Sequence, residues 1–162
     1  MCIAVRLKHW FFTHYWWILS LTTVAMALLL AYLKEPPASF AGVAGAFLSV
    51  IYFVQKQKLE EMRLFREIFK ECNVRYDAMN ELLARVCAPN EAELSQEERD
   101  LLIDYFNLCG EEYLYYRQGY IPPVVWESWH MGMQIVLCSP RVNTLWRSEE
   151  ATGSYYELPI QR

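Results

Sequence analysis

The sequence predicts an all-α protein, a two-helix transmembrane hairpin followed by a cytoplasmic helical bundle of about four helices. Three observations carry this. Two uninterrupted apolar stretches, residues 10–33 and 38–54, stand near the N-terminus with only Lys34-Glu35-Pro36-Pro37 between them. A segment free of Gly and Pro follows from Gln55 to Val86, with apolar residues at heptad spacing. Beyond it, Ser and Pro stand where helices start and Gly where they stop. The chain accordingly divides into a hairpin, residues 1–55, and a helical domain, residues 56–162.

At ~1.5 Å per helical residue the first stretch reaches about 36 Å and the second about 26 Å, against a hydrocarbon core of roughly 30 Å. Whole-chain averages hide the division: the chain is 54% hydrophobic with a mean hydropathy of +0.03. Positive charge sets the orientation, because Lys and Arg beside a span resist translocation. Arg6 and Lys8 precede the first span, and Lys56, Lys58, Arg63 and Arg66 follow the second, whereas the loop carries Lys34 alone. Both termini are therefore expected in the cytoplasm of a cell bounded by an inner membrane. The first stretch is too long for a signal peptide, and no small-residue cleavage site precedes the second.

Trp10, Phe11, Phe12, Tyr15, Trp16 and Trp17 cluster at the inner end of the first span, where amphipathic rings anchor a helix at the headgroups. His14 lies among them; reaching toward interfacial water explains it without a pore role. In the second span small residues recur in two adjacent rows, Ala38-Gly42-Ala46 and Ala41-Gly45-Ser49. Such rows let helix backbones approach closely in lipid, either within the hairpin or between subunits.

The helix expected over 55–86 carries Met62, Phe65, Phe69, Cys72, Tyr76, Met79, Leu83 and Val86, alternating steps of three and four. That seam wants a helical partner. Docking on the following domain, with Leu59, Leu64, Ile68 and Leu82 widening the face, is one solution; an intersubunit bundle is the other. Ala88-Pro89-Asn90 breaks the helix. Ser95 and Glu98 make a capping box for the next, over about 96–117, with Leu101, Leu102, Tyr105, Phe106, Leu108, Cys109, Tyr113 and Tyr116 as its core candidates. Pro122-Pro123 starts a third helix to about Cys138, and Ser139-Pro140 a fourth that Gly153 ends. The tail, with Tyr155, Tyr156, Leu158 and Ile160, is expected to be irregular and packed back on the bundle.

Chemistry-bearing patterns are sparse. From Gln55 onward twelve Lys and Arg face eighteen Asp and Glu, a net of −6, which excludes a general polyanion surface and duplex nucleic acid as a partner. The five cysteines, Cys2, Cys72, Cys87, Cys109 and Cys138, show no paired spacing, so neither a metal site nor a redox motif is expected. No phosphate loop, dinucleotide fingerprint or Gly-x-Ser-x-Gly is present. Glu111-Glu112 with His130 and Asn107 is the only enzyme-like set, and a buried polar cluster between two helices explains it better. No catalytic residue and no cofactor is expected. Ligand-binding candidates are Asn107 and Glu111, one helical turn apart; Tyr116, Tyr120 and Trp126 as stacking rings; and Arg117, Arg141 and Arg147 for phosphates.

Asp104-Tyr105-Phe106-Asn107-Leu108-Cys109-Gly110-Glu111-Glu112-Tyr113, followed by Tyr115 to Ile121 and Trp126-Glu127-Ser128-Trp129, resembles a widespread bacterial helical domain of uncharacterised function. The resemblance covers roughly residues 60 to 150 and implies an all-helical cytoplasmic domain behind membrane spans, with no assigned chemistry. In architecture and size, two spans and then a small soluble domain, the chain also resembles the membrane effectors of type III CRISPR antiviral defence that respond to cyclic tetra-adenylate. That likeness implies an oligomeric effector which senses a cyclic oligoadenylate and perturbs the membrane. In a ring of four subunits one arginine per chain would place four guanidinium groups around a single axis, enough to meet four phosphates despite the net acidity. The expected partners are thus membrane lipid, further copies of the chain and a cyclic oligoadenylate. The alternative is a membrane-anchored scaffold whose aromatic surface meets another protein.

Overall fold

The structure is a computed structural model and describes residues 3–88 and 92–160, with backbone alone for 3–6, 8 and 9. The flanking charges Arg6 and Lys8, Cys2 and the Pro89-Asn90 break therefore lie outside the described side chains. Five helices are described, α1 (Ile3–Tyr32), α2 (Pro37–Cys87), α3 (Gln96–Gln118), α4 (Pro123–Leu137) and α5 (Pro140–Glu150), with no strand among the described residues. The chain falls into two compact units, Cys2–Leu64 and Phe65–Arg162, whose boundary lies within α2.

In the first unit α1 stops where Lys34 takes a left-handed conformation (φ 53°). The Glu35 amide then reaches back to Leu30 O at 3.0 Å, satisfying a carbonyl that the helix end would leave orphaned. Pro37, with φ already set for a helix, opens α2. Both helices are long and apolar enough to cross a membrane, and only 6% of each apolar window is buried. A core helix of a soluble protein would instead bury its apolar face. Tyr15 and Val54 are buried where the helices meet. There Gln55 Nε2 donates to Tyr15 Oη at 2.6 Å, and Lys58 Nζ stands 4.7 Å from the Tyr15 ring centre. Both rows of small residues, by contrast, are exposed. A Cβ added at Gly42 or Gly45 would meet nothing within 4 Å, so neither glycine serves close packing within the hairpin.

In the second unit the heptad seam docks onto the same chain. Cys72, Leu83 and Val86 are buried in one core with residues of α3, α4 and α5, and Tyr76 and Met79 pack against it. Within this unit the face does not widen as the sequence suggested: Ile68 is buried but Leu82 stays exposed; in the first unit Leu59, Met62 and Leu64 are exposed. Ser95 accepts from the Glu98 amide and the Glu98 side chain accepts from the Ser95 amide, so the capping box forms. Gly119 closes α3 in the left-handed region (φ 81°), which a Cβ would disfavour. Leu102, Phe106, Leu108, Leu137 and Val142 are almost fully buried, and Phe106 meets Trp146 and Tyr155 edge-on.

Helix α4 ends at Leu137 with Cys138 as its cap, where the sequence placed its end, whereas α5 ends at Glu150, ahead of Gly153. The segment after α5 turns with positive φ at Gly153, Tyr156 and Glu157, which returns Tyr155 and Leu158 to the core.

Candidate functional site

Among the described residues, concavities of the second unit hold polar side chains. A groove of about 540 Å³ lies between α2, α3 and the segment after α5, lined by Arg75, Asp104, Asn107, Glu111, Ser154 and Tyr156 among others. Asp104, Asn107 and Glu111 share a face because helical neighbours recur every three or four residues. Arg75 donates to both carboxylate oxygens of Glu111, at 2.6 and 3.3 Å. Each side chain is more than a third exposed, so the pair contributes at most about 1 kcal/mol.

A second cavity, about 220 Å³ and partly open, lies between α2, α3 and α4 and is lined by Asn73, Tyr76, Tyr105, Glu112, Ser128, Trp129, Gly132 and Met133. Glu112 is the buried charged residue of the core, at 7% exposure. Burial first, and then the neighbouring Glu111 carboxylate, push its pKa up to about 8 against the pull of Arg75. The same burial raises its thiol and phenol neighbours: Cys72 to about 12, and Cys109 and Tyr105 well above their ordinary values. These groups stay neutral at any physiological pH.

The third, about 410 Å³, is lined by Glu93, Leu94, Arg99, Arg141, Thr144, Ser148 and neighbours. Arg141 Nη2 donates to Glu98 Oε2 at 3.0 Å and to Glu93 O at 3.3 Å, and Nη1 to Val86 O at 3.3 Å. Its buried Nε has no partner.

The eight sequence candidates do not converge on one site. Asn107 and Glu111 meet in the first groove. Trp126 is buried in the core and stacks with the partly buried Tyr116 (5.1 Å, 11°) and with the half-exposed His130 (5.2 Å, 18°). Arg117 donates to Tyr156 O at 3.0 Å and approaches Glu157 at 3.8 Å. Tyr120 is partly exposed at the α3–α4 turn. Arg141 lines the third groove, whereas Arg147 is exposed and donates to Asn143 Oδ1 at 2.8 Å. The enzyme-like set also separates: Glu111 and Glu112 face different cavities, and His130 Nε2 donates to Pro159 O at 2.7 Å. Among the described residues no cluster of three or more His, Cys, Asp or Glu is placed to hold a metal.

Sequence reasoning overlooked Arg75, Arg99 and the separate role of Glu112. The last had a legible signal: Leu102, Tyr105, Cys109 and Glu112 are spaced 3, 4 and 3, which places a carboxyl in an otherwise buried stripe of α3. No protein-family model, curated protein or solved structure matches the chain.

Proposed function

We propose that this chain is an oligomeric inner-membrane effector, with both termini cytoplasmic, whose helical bundle senses a signal and whose hairpin then perturbs the membrane in antiphage defence. The observation that carries the reading is α2: one 51-residue helix holds an apolar span at one end and buried core positions at the other. A ligand that prefers one packing of the bundle biases the span through that shared helix. The exposed glycine rows of α2 support assembly, because they leave a close-packing face open to a second copy. A cyclic oligoadenylate is the proposed signal. The groove lined by Arg99 and Arg141, with Thr144 and Ser148, supplies guanidinium and hydroxyl groups for phosphates. Arg147 lies on the same helix, and a ring of subunits multiplies each of these cations.

Membrane potential in cells expressing the protein tests this directly. Making cyclic tetra-adenylate should depolarise wild-type cells and leave Arg141→Glu or Arg147→Glu cells polarised; unchanged potential in the wild type removes the reading. A scaffold is favoured by a different observation, the exposed Val124, Met131 and Ile135 on α4, which offer an apolar face to another protein. Exchanging the hairpin for an unrelated two-span anchor separates the two, since a scaffold keeps working and an effector fails.

A further inference from the structure

Glu112 presents a problem that the effector reading leaves unsolved. As a residue Glu112 is 7% exposed, and among the described residues no hydrogen bond or ion pair holds its carboxyl. Arg75, the cation that acts on it, is engaged by both oxygens of Glu111. An unpaired carboxylate in an apolar interior is costly, so the group either stays protonated or receives a counter-charge from outside. It does not face solid core. It faces the 220 Å³ cavity whose other walls are chiefly rings and a thioether: Tyr76, Tyr105, Trp129 and Met133.

Ring faces carry negative charge and attract cations, most strongly where water is excluded. An acid lining such a cavity complements an ammonium group with an apolar body, and it opposes a phosphate. The volume is below that of drug-sized pockets, roughly 300–1,000 Å³, which favours a small monoamine over a polyamine. Gly132 lines the cavity too, and a Cβ there would meet nothing within 4 Å, so the wall is open at that point.

We propose that Glu112 anchors a binding site for a small organic amine, with the ammonium on the carboxylate and the apolar body between Tyr76, Tyr105 and Trp129. The site is separate from the arginine-lined groove and does not depend on the effector reading. Binding is coupled to proton release. The titratable groups around Glu112 are Arg75, Cys72 and Tyr76 from α2 and Glu111, Cys109 and Tyr105 from α3; α4 brings only Ser128, Trp129, Gly132 and Met133 to the cavity. With the thiols and Tyr105 held neutral, Glu112 is the group that changes charge as pH rises toward about 8, and amine affinity rises with it.

Purified full-length protein in detergent, titrated with phenethylammonium chloride and followed by tryptophan fluorescence and calorimetry, tests the proposal. Saturable binding is expected, tighter by on the order of tenfold or more at pH 8.5 than at pH 6. The neutral analogue 2-phenylethanol should bind at least about tenfold more weakly, as should phenethylammonium to Glu112→Gln. Gly132→Leu, which adds bulk to the cavity wall, should weaken binding at unchanged Tm. Equal binding of the neutral analogue, undiminished binding to Glu112→Gln, or no saturable binding to the wild type at pH 8.5 each overturns the site. Membrane potential in cells tests the effector reading independently.

Discussion

Replacing Glu112 by Gln preserves the shape of the side chain and removes its titration. In the folded chain the carboxyl is held up to about 8, against an ordinary value of 4.5. The folded state therefore binds a proton that the unfolded state releases across that range, and stability falls as pH rises from about 4.5 to about 8. Below the lower value both states are protonated and nothing is lost; above the upper one the full cost is present. At ~1.4 kcal/mol for each pH unit the full cost is on the order of 5 kcal/mol if Glu112 ionises in place. Glu112→Gln should then match the wild type at pH 5 and exceed it at pH 9, by roughly 10 °C in Tm for a chain of this size. Thermal unfolding of both proteins in the same detergent at the two pH values reads this out. A Gln variant that is no more stable than the wild type at pH 9 refutes the claim that Glu112 is buried without a counter-charge.

Phe106→Ala should cost about 3–5 kcal/mol, because the ring is fully buried and edge-packed on Trp146 and Tyr155; chemical denaturation of the purified protein, followed by its helical signal, measures it. Ser95→Ala removes the acceptor for the Glu98 amide and should cost about 0.5–2 kcal/mol, which Tm registers. Gly42→Leu with Gly45→Leu should leave the hairpin folded, since both positions are open, yet lower the subunit count seen by native mass spectrometry. An unchanged count would show that the open rows are not the assembly face.

Features set by neighbours in the chain were legible in the sequence. Ser95 with Glu98, and Pro123 and Pro140 at helix starts, each act through a local bond or a fixed φ, and each of those helices begins where these residues stand, whereas Pro37, read as part of the connecting loop, opens α2. The all-helical class followed from periodicity in the same way. What required the folded chain was direction. Glu111 and Glu112 are adjacent, but a step of about 100° on a helix sends one to Arg75 and the other into the core. Arg75 lies 36 positions from its partner, a pairing no local pattern encodes. The three contacts of Arg141, Val86 O, Glu93 O and Glu98, likewise come from other parts of the chain and leave no local signal. Leu59, Leu64 and Leu82 read as core because apolar character does not show whether a partner is there to cover it.

One oxygen atom joins two helices in a way that has a dynamic consequence. Glu98 Oε2 accepts from the Ser95 amide at 2.8 Å and from Arg141 at 3.0 Å. Fraying of the first turn of α3 thus releases the anchor of α5, and drawing the guanidinium away loosens that turn in exchange. Backbone amides at 96–99 and 141–146 should trade hydrogen for deuterium at matched rates, and an anion seated on Arg141 should hasten both together.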